Sequence, residues 1–178
     1  MRAWAAIVAL LALGAEPVRA QERSWHVDGA VLTLGEAWDY NEARESLLGG
    51  AAGVDTNVWK ALRVRVEGQL LRVMQDGSDA FLRGVTIGAR ARWNASRVLP
   101  FADLAGGVSS STRPVPPRGT ASNLLIVAGG GVQIPLDRRW SIDLGARWFH
   151  ISNNGREGGH RNPDVQALGA SIAIGWSW

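Results

Sequence analysis

Apolar side chains in this chain recur at every second residue through one stretch after another, and that period fits β-strands rather than helices. Between residues 61 and 75 one set is Leu62, Val64, Val66, Gly68 and Leu70, and the alternate set is Arg63, Arg65, Glu67 and Gln69. Between 81 and 93 one set is Phe81, Val85, Ile87, Ala89, Ala91 and Trp93, interrupted by Arg83, and the other includes Thr86, Arg90 and Arg92. Near the end, Leu168, Ala170, Ile172, Ile174, Trp176 and Trp178 alternate with Ala167, Gly169, Ser171, Ala173, Gly175 and Ser177. Successive strand residues point to opposite faces, so each stretch has one apolar face and one small or charged face. The pattern places strands near 24–34, 46–58, 61–75, 81–93, 99–110, 123–136, 140–154 and 165–178, the second alternating least. Breaks fall at Asp76-Gly77, at Arg113 to Gly119 with its three prolines, at Pro135 to Arg138 and at Asn162-Pro163.

Eight such strands, each about the 9 to 11 residues that a tilted membrane strand needs or somewhat longer, suit a closed barrel. A soluble sandwich would bury the apolar faces. A small outer-membrane barrel turns them to lipid and keeps small or charged groups inside. Its interior would pair Arg63, Arg65, Arg90 and Arg147 with Asp28, Glu67, Asp103 and Asp143, because buried charges need partners. Trp25, Trp93, Trp140, Trp148, Trp176 and Trp178 fall at or near strand ends, as an aromatic girdle requires, and the chain stops on an aromatic residue. The expected fold is therefore all-β, an eight-stranded antiparallel transmembrane outer-membrane β-barrel. With both termini in the periplasm, the loops after strands one, five and seven are extracellular and long. The turns at 59–60, 94–98 and 136–139 are short.

The first 20 residues read as a cleavable export signal, leaving a single barrel domain over 21–178. Arg2 supplies a basic start, Ala5 to Leu13 an apolar run too short to span a bilayer, and Val18-Arg19-Ala20 a small-x-small site. Removing the leader lowers the net charge from +3 to +2, since Arg2, Arg19 and Glu16 go with it. The chain has no cysteine, which excludes disulfides, thiol nucleophiles and cysteine-ligated metals. Lys60 is its one lysine, so arginine carries the basic charge and suits contact with phosphate. There is neither a basic helix nor a stacked aromatic motif for nucleic acid, and no metal cluster, P-loop or dinucleotide motif; Asn94-Ala95-Ser96 is a chance sequon.

Chemistry concentrates in WSIDLGARWFHISNN, residues 140–154. One face of this strand is Trp140, Ile142, Leu144, Ala146 and Trp148, then His150 and Ser152; the other is Ser141, Asp143, Gly145 and Arg147. His150 and Ser152 thus share the lipid-facing side at the outer end, with backbones roughly 6.5 to 7 Å apart. A serine beside a histidine base is the usual start of acyl transfer to a nucleophile.

His150-Ile151-Ser152-Asn153-Asn154-Gly155, followed by Asn162-Pro163 and a last amphipathic strand, resembles the lipid A 3-O-deacylase (PagL-type) family of eight-stranded outer-membrane barrels. That family's H-x-S-N motif is matched by His150, Ser152 and Asn153. The resemblance implies a serine esterase that removes the ester-linked 3-O acyl chain from lipid A of lipopolysaccharide without a cofactor or metal. It implies Ser152 as nucleophile and His150 as general base, with the Asn153 backbone N–H and the Asn162 side chain as oxyanion donors, each worth about 10²- to 10³-fold in rate. The family's third residue, a glutamate on the last strand, corresponds to Gln166, which shares the outward face with Leu168 and Ile172. A glutamine fixes a tautomer but supplies no charge, so Asp164 or Glu157 stands as a substitute. Arg156 and Arg161 are candidates to meet the sugar phosphates. The partners are then outer-membrane lipid and lipopolysaccharide, with no nucleic acid, and a homodimer is compatible with the sequence. Two other readings remain open. One is an outer-membrane phospholipase, though those barrels have more strands; the other is a non-enzymatic barrel for membrane integrity or adhesion.

Overall fold

The computed structural model describes residues 24–38, 44–93, 97–158, 161 and 164–178. The expected leader, the 94–96 sequon, His160 and Asn162 lie outside them. Eight strands run in chain order: β1 (Trp25–Glu36), β2 (Ser46–Trp59), β3 (Leu62–Met74), β4 (Ala80–Arg92), β5 (Leu99–Val115), β6 (Thr120–Pro135), β7 (Trp140–Ser152) and β8 (Val165–Ser177). Each pairs antiparallel with the next, and β8 returns to β1, which closes the barrel and leaves no free edge. Trp25 and Trp178 complete the closure by exchanging backbone hydrogen bonds of 3.1 Å in both directions.

The alternation read from the sequence is the alternation between lumen and exterior. Leu70, Val85, Ile87, Val108 and Ile172 all point outward and are more than half exposed. Arg63, Arg65, Glu67, Arg90, Asp103, Asp143 and Arg147 point inward and are buried. Trp25, Trp59, Trp140, Trp176 and Trp178 gather at the end that holds the termini. Trp148 instead sits within β7, toward the other end, where exposed Trp38 and Phe81 also lie. The connections at the terminal end are tight, as at 60–61 and 136–139, whereas 37–45 and 153–164 are longer at the opposite, outer end.

Two expectations need correction. The prolines at 114, 116 and 117 do not end the fifth strand at 110. β5 and β6 continue past the barrel wall as a hairpin arm, joined by 116–119, with a register irregularity between Ser110 and Val115. Beyond the closed wall the ladder has a free side, where a proline's missing N–H costs little. The lumen is also not polar throughout. Its outer half is an apolar cluster of Leu32, Leu34, Leu47, Leu71, Val73, Leu82, Leu125, Phe149, Ile151 and Val165, almost wholly buried. The barrel is filled rather than open.

The inner half of the lumen holds one continuous ionic network. Arg63 pairs with Asp55, which the sequence reading had not included, and Arg65 with Asp28, Asp55 and Glu67. Arg90 pairs with Asp103 and Asp143 at 2.7 and 2.8 Å. Arg147 donates to both Glu67 oxygens, at 2.5 and 2.9 Å. Gly53 makes room for the Arg65 guanidinium, which lies where a Cβ would stand. Glu67 joins the two sides of the network. Removing one partner of a buried pair usually costs about 3–5 kcal/mol, because the other charge stays desolvated. Glu67→Ala is therefore expected to lower the temperature at which the folded, fast-migrating gel band converts to the unfolded one. An unchanged transition would mean that Arg65 and Arg147 are compensated without it.

Candidate active site

The outer end of β7 brings the candidate residues together. Its outward set ends in Trp148, His150 and Ser152, while Phe149 and Ile151 plug the lumen behind them. Two fully buried neighbours on the inward face therefore anchor the stretch that carries the histidine. Trp148 and His150 stack, with ring centroids 5.8 Å apart and planes 19° from parallel, which restricts the imidazole from one side.

Beyond β7 the chain turns sharply. Asn154 and Gly155 both have positive φ, 55° and 71°, a conformation tolerated by asparagine and glycine. The Asn154 N–H donates to Ser152 Oγ at 3.1 Å, and the Gly155 N–H donates to Asn153 Oδ1 at 2.8 Å. Asn153 Nδ2 donates to the Arg161 carbonyl at 2.7 Å, which ties the far side of the loop to its start. Ser152 and Asn153 are consequently buried, at 8 % and 5 % exposure, although they follow an outward-facing strand end.

Across the ladder, His150 lies directly opposite Gln166 of β8. The acid beside the imidazole is not on the strand itself. Asp164, just before β8, puts its carboxylate 3.6 Å from His150 Nδ1. Gln166 Nε2 donates to that same Asp164 oxygen at 3.2 Å. Gln166 thus stands one step behind the histidine, holding the acid beside it. Glu157, the other alternative, pairs with Arg161 at 2.8 Å at the exposed loop surface. Trp148 was missed as a neighbour of the site, though its place two residues before His150 on one face signals the stacking.

A cavity of about 430 Å³ opens beside Ser152 on the outer wall. Val85, Val108, Leu124, Asn153 and Arg156 are among its lining residues. The register explains this. Ser152 pairs with Leu124, Leu124 with Val108, and Val108 with Val85, so one outward row runs from the serine across three strands. An apolar chain lying along that row would end at Ser152.

The sequence spacing did not reveal one group of conceivable metal ligands. His26, Asp28 and Asp55 meet in the lumen, with one ligand atom from each within 4.8 Å of the others. Both carboxylates already pair with Arg63 or Arg65, so the lumen's own cations supply the charge that a metal would bring.

No protein-family model and no curated protein matches this sequence. Solved structures do match its fold. Neisserial surface protein A superposes with a TM-score of 0.66 at 12% identity, covering 87% of this chain and 99% of that one. The outer membrane enzyme PagL gives 0.62 at 15% identity, over 83% and 97%. The attachment invasion locus protein Ail of Yersinia pestis gives 0.56 at 14% identity, over 89% and 100%.

The fold is the eight-stranded outer-membrane barrel. The apolar exterior and the closed wall place the chain in the bacterial outer membrane, as the fold does. The barrel alone does not decide what it does, since an enzyme and an attachment invasion locus protein are both among the similar structures. Any activity has to be argued from the cluster around His150.

Proposed function

We propose that this barrel is a serine esterase of the outer leaflet that removes the 3-O acyl chain of lipid A. The observation that carries the reading is the Asp164 carboxylate 3.6 Å from His150 Nδ1, with Ser152 two residues further along β7 and an apolar cavity lined by its ladder partner Leu124. Asp164 beside Nδ1 favours the tautomer with its proton there, so Nε2 is the nitrogen left to act as base. His150 takes the Ser152 proton as Oγ attacks the ester carbonyl. The tetrahedral oxyanion collapses to an acyl-serine, and His150 returns the proton to the departing sugar hydroxyl. Water, activated by the same histidine, then releases the 3-hydroxy fatty acid. The Asn153 N–H and the Asn162 side chain serve as oxyanion donors in this scheme, and no cofactor or metal takes part.

Location supports the substrate. The cluster lies at the outer end of β7, at the level of the leaflet where lipopolysaccharide resides. An ester also suits this set of groups better than the amide-linked chains of the same lipid, whose leaving group is poorer. The test is to incubate the purified protein in detergent with lipid A and, separately, with phosphatidylethanolamine. Loss of one 3-hydroxyacyl mass from lipid A alone is expected. Fatty acid released only from the phospholipid would replace this reading with a phospholipase, and release from neither would leave a structural barrel.

A further inference from the structure

Arg83 is at odds with its surroundings. The outward set at the start of β4 is Phe81, Arg83, Val85 and Ile87, and the three apolar members are each more than half exposed to lipid. A charge on that face costs up to about 2–4 kcal/mol at mid-membrane and less toward the interface. Arg83 lies three residues into β4 from the outer end, where a charge is tolerated and can meet a polar head group. Its guanidinium has no hydrogen bond or ion pair among the described residues. The same holds for the side chain of Arg156, in the loop after β7. By contrast, exposed Arg72 and Arg161 at this end pair with Asp79 and Glu157.

Arg83 and Arg156 line the same cavity, the one beside Ser152. The register gives that cavity two levels. The lower row is Val85, Val108 and Leu124, with Ser152 next along the ladder. One step outward, Arg83 pairs with Ser110 and Ser110 with Ser122, a row of one cation and two hydroxyls. The groove thus has an apolar floor leading to the serine and a polar, cationic outer edge. Arg83 also borders a second furrow, of about 580 Å³, whose walls include Leu48, Leu70 and Phe81. One guanidinium therefore stands between two apolar furrows, as the head group of a lipid with several acyl chains requires.

We infer that Arg83 and Arg156 form a phosphate-binding site for a phosphorylated glycolipid, holding its sugar so that one ester lies over Ser152. The inference rests on the esterase reading for the purpose of the site, but not for its chemistry. Guanidinium groups bind phosphate oxygens in a bidentate way that lysine does not match. Size selects the lipid. Three ladder steps of about 4.8 Å separate β4 from β7, roughly 14 Å. That span suits a phosphorylated disaccharide head group better than a single glycerol phosphate. Arg161, a candidate from the sequence, is engaged by Glu157 and is replaced in this role by Arg83.

The test separates binding from turnover. Ser152→Ala protein in detergent is titrated with phosphorylated lipid A, with the same lipid A after phosphatase treatment, and with phosphatidylglycerol. Binding is followed by tryptophan fluorescence. Phosphate removal is expected to weaken binding about ten-fold or more, the loss that goes with a charge-assisted contact. Adding Arg83→Gln and Arg156→Gln should bring the phosphorylated lipid down to the same level and leave the dephosphorylated lipid unchanged. Equal binding of the two lipid A forms by the protein with both arginines would overturn the site, without reliance on any further variant. So would a phosphate preference that survives both substitutions. Phosphatidylglycerol binding as tightly as lipid A would overturn the glycolipid assignment. If the phosphate preference is present and lost with the arginines, yet the protein with Ser152 releases no acyl chain, the site stands and the esterase reading falls.

Discussion

Ser152→Ala is expected to reduce ester hydrolysis by the purified barrel to background, a loss of at least about 10³-fold, while the barrel stays folded. The two halves of this result have separate causes. Ser152 Oγ is the proposed nucleophile, and nothing else on the outward row can form the acyl intermediate. The substitution takes away the hydrogen bond from the Asn154 N–H, a contact worth about 0.5–1.5 kcal/mol, and leaves the buried Phe149 and Ile151 that anchor the strand end in place. Fold retention is read from the heat-dependent shift of the gel band and from the β-rich circular dichroism. His150→Ala should lose as much activity, with a small added cost from the lost stack on Trp148. Because nucleophile and base act as a unit, the double substitution should be little worse than either single one. Full activity in Ser152→Ala would eliminate the serine mechanism. Additive losses in the double variant would mean that His150 acts on some other group.

Most of the barrel was legible in the sequence because the environment on each side of the wall differs in kind. Lipid selects Leu70, Val85 and Ile172 on one side, and the ionic lumen selects Arg65, Glu67 and Arg147 on the other. The alternation fades where both sides are apolar. Leu47 and Leu48 are adjacent in β2, one in the outer lumen plug and one toward lipid. That stretch alternates poorly for this reason, and the plug itself was not foreseen. Phe149 and Ile151 belong to the plug although they continue the polar set of Ser141, Asp143 and Arg147. Period-2 patterning reports the contrast between faces, so it is silent where there is none.

The candidate site divides along the same line. His150 and Ser152 were legible because they lie within a strand, where spacing fixes the face. The acid beside His150 was legible only as one of two alternatives to Gln166, Asp164 or Glu157, because it comes from a connection. Counting along the chain leads to Gln166, which the ladder does place opposite His150. No count predicts that Asp164, before the strand begins, folds back to within 3.6 Å of the imidazole. Arg83 was noticed as an interruption of an apolar face. Its meaning needed the register across β4, β5 and β6, which pairs it with Ser110 and, through it, Ser122.

Asp164→Asn is expected to lower kcat by about 10²- to 10⁴-fold, since losing the carboxylate removes both the tautomer bias and the charge that stabilises the imidazolium. The 3.6 Å separation is longer than a formed hydrogen bond, and such contacts tighten when substrate binds and water leaves. Gln166→Ala should cost far less, because it removes only the 3.2 Å hydrogen bond that steadies Asp164. Gln166→Glu decides between the two arrangements. If Asp164 serves His150, a glutamate at 166 places a second carboxylate where the amide now donates, and like charges so close oppose each other's ionisation. Activity should then stay level or fall at neutral pH, and the pH profile should change shape as the pair shares a proton. If Gln166 itself orients the histidine, Gln166→Glu should raise activity and Asp164→Asn should be near normal. That second pattern would return the third role to the last strand and leave Asp164 as a loop residue that merely borders the site.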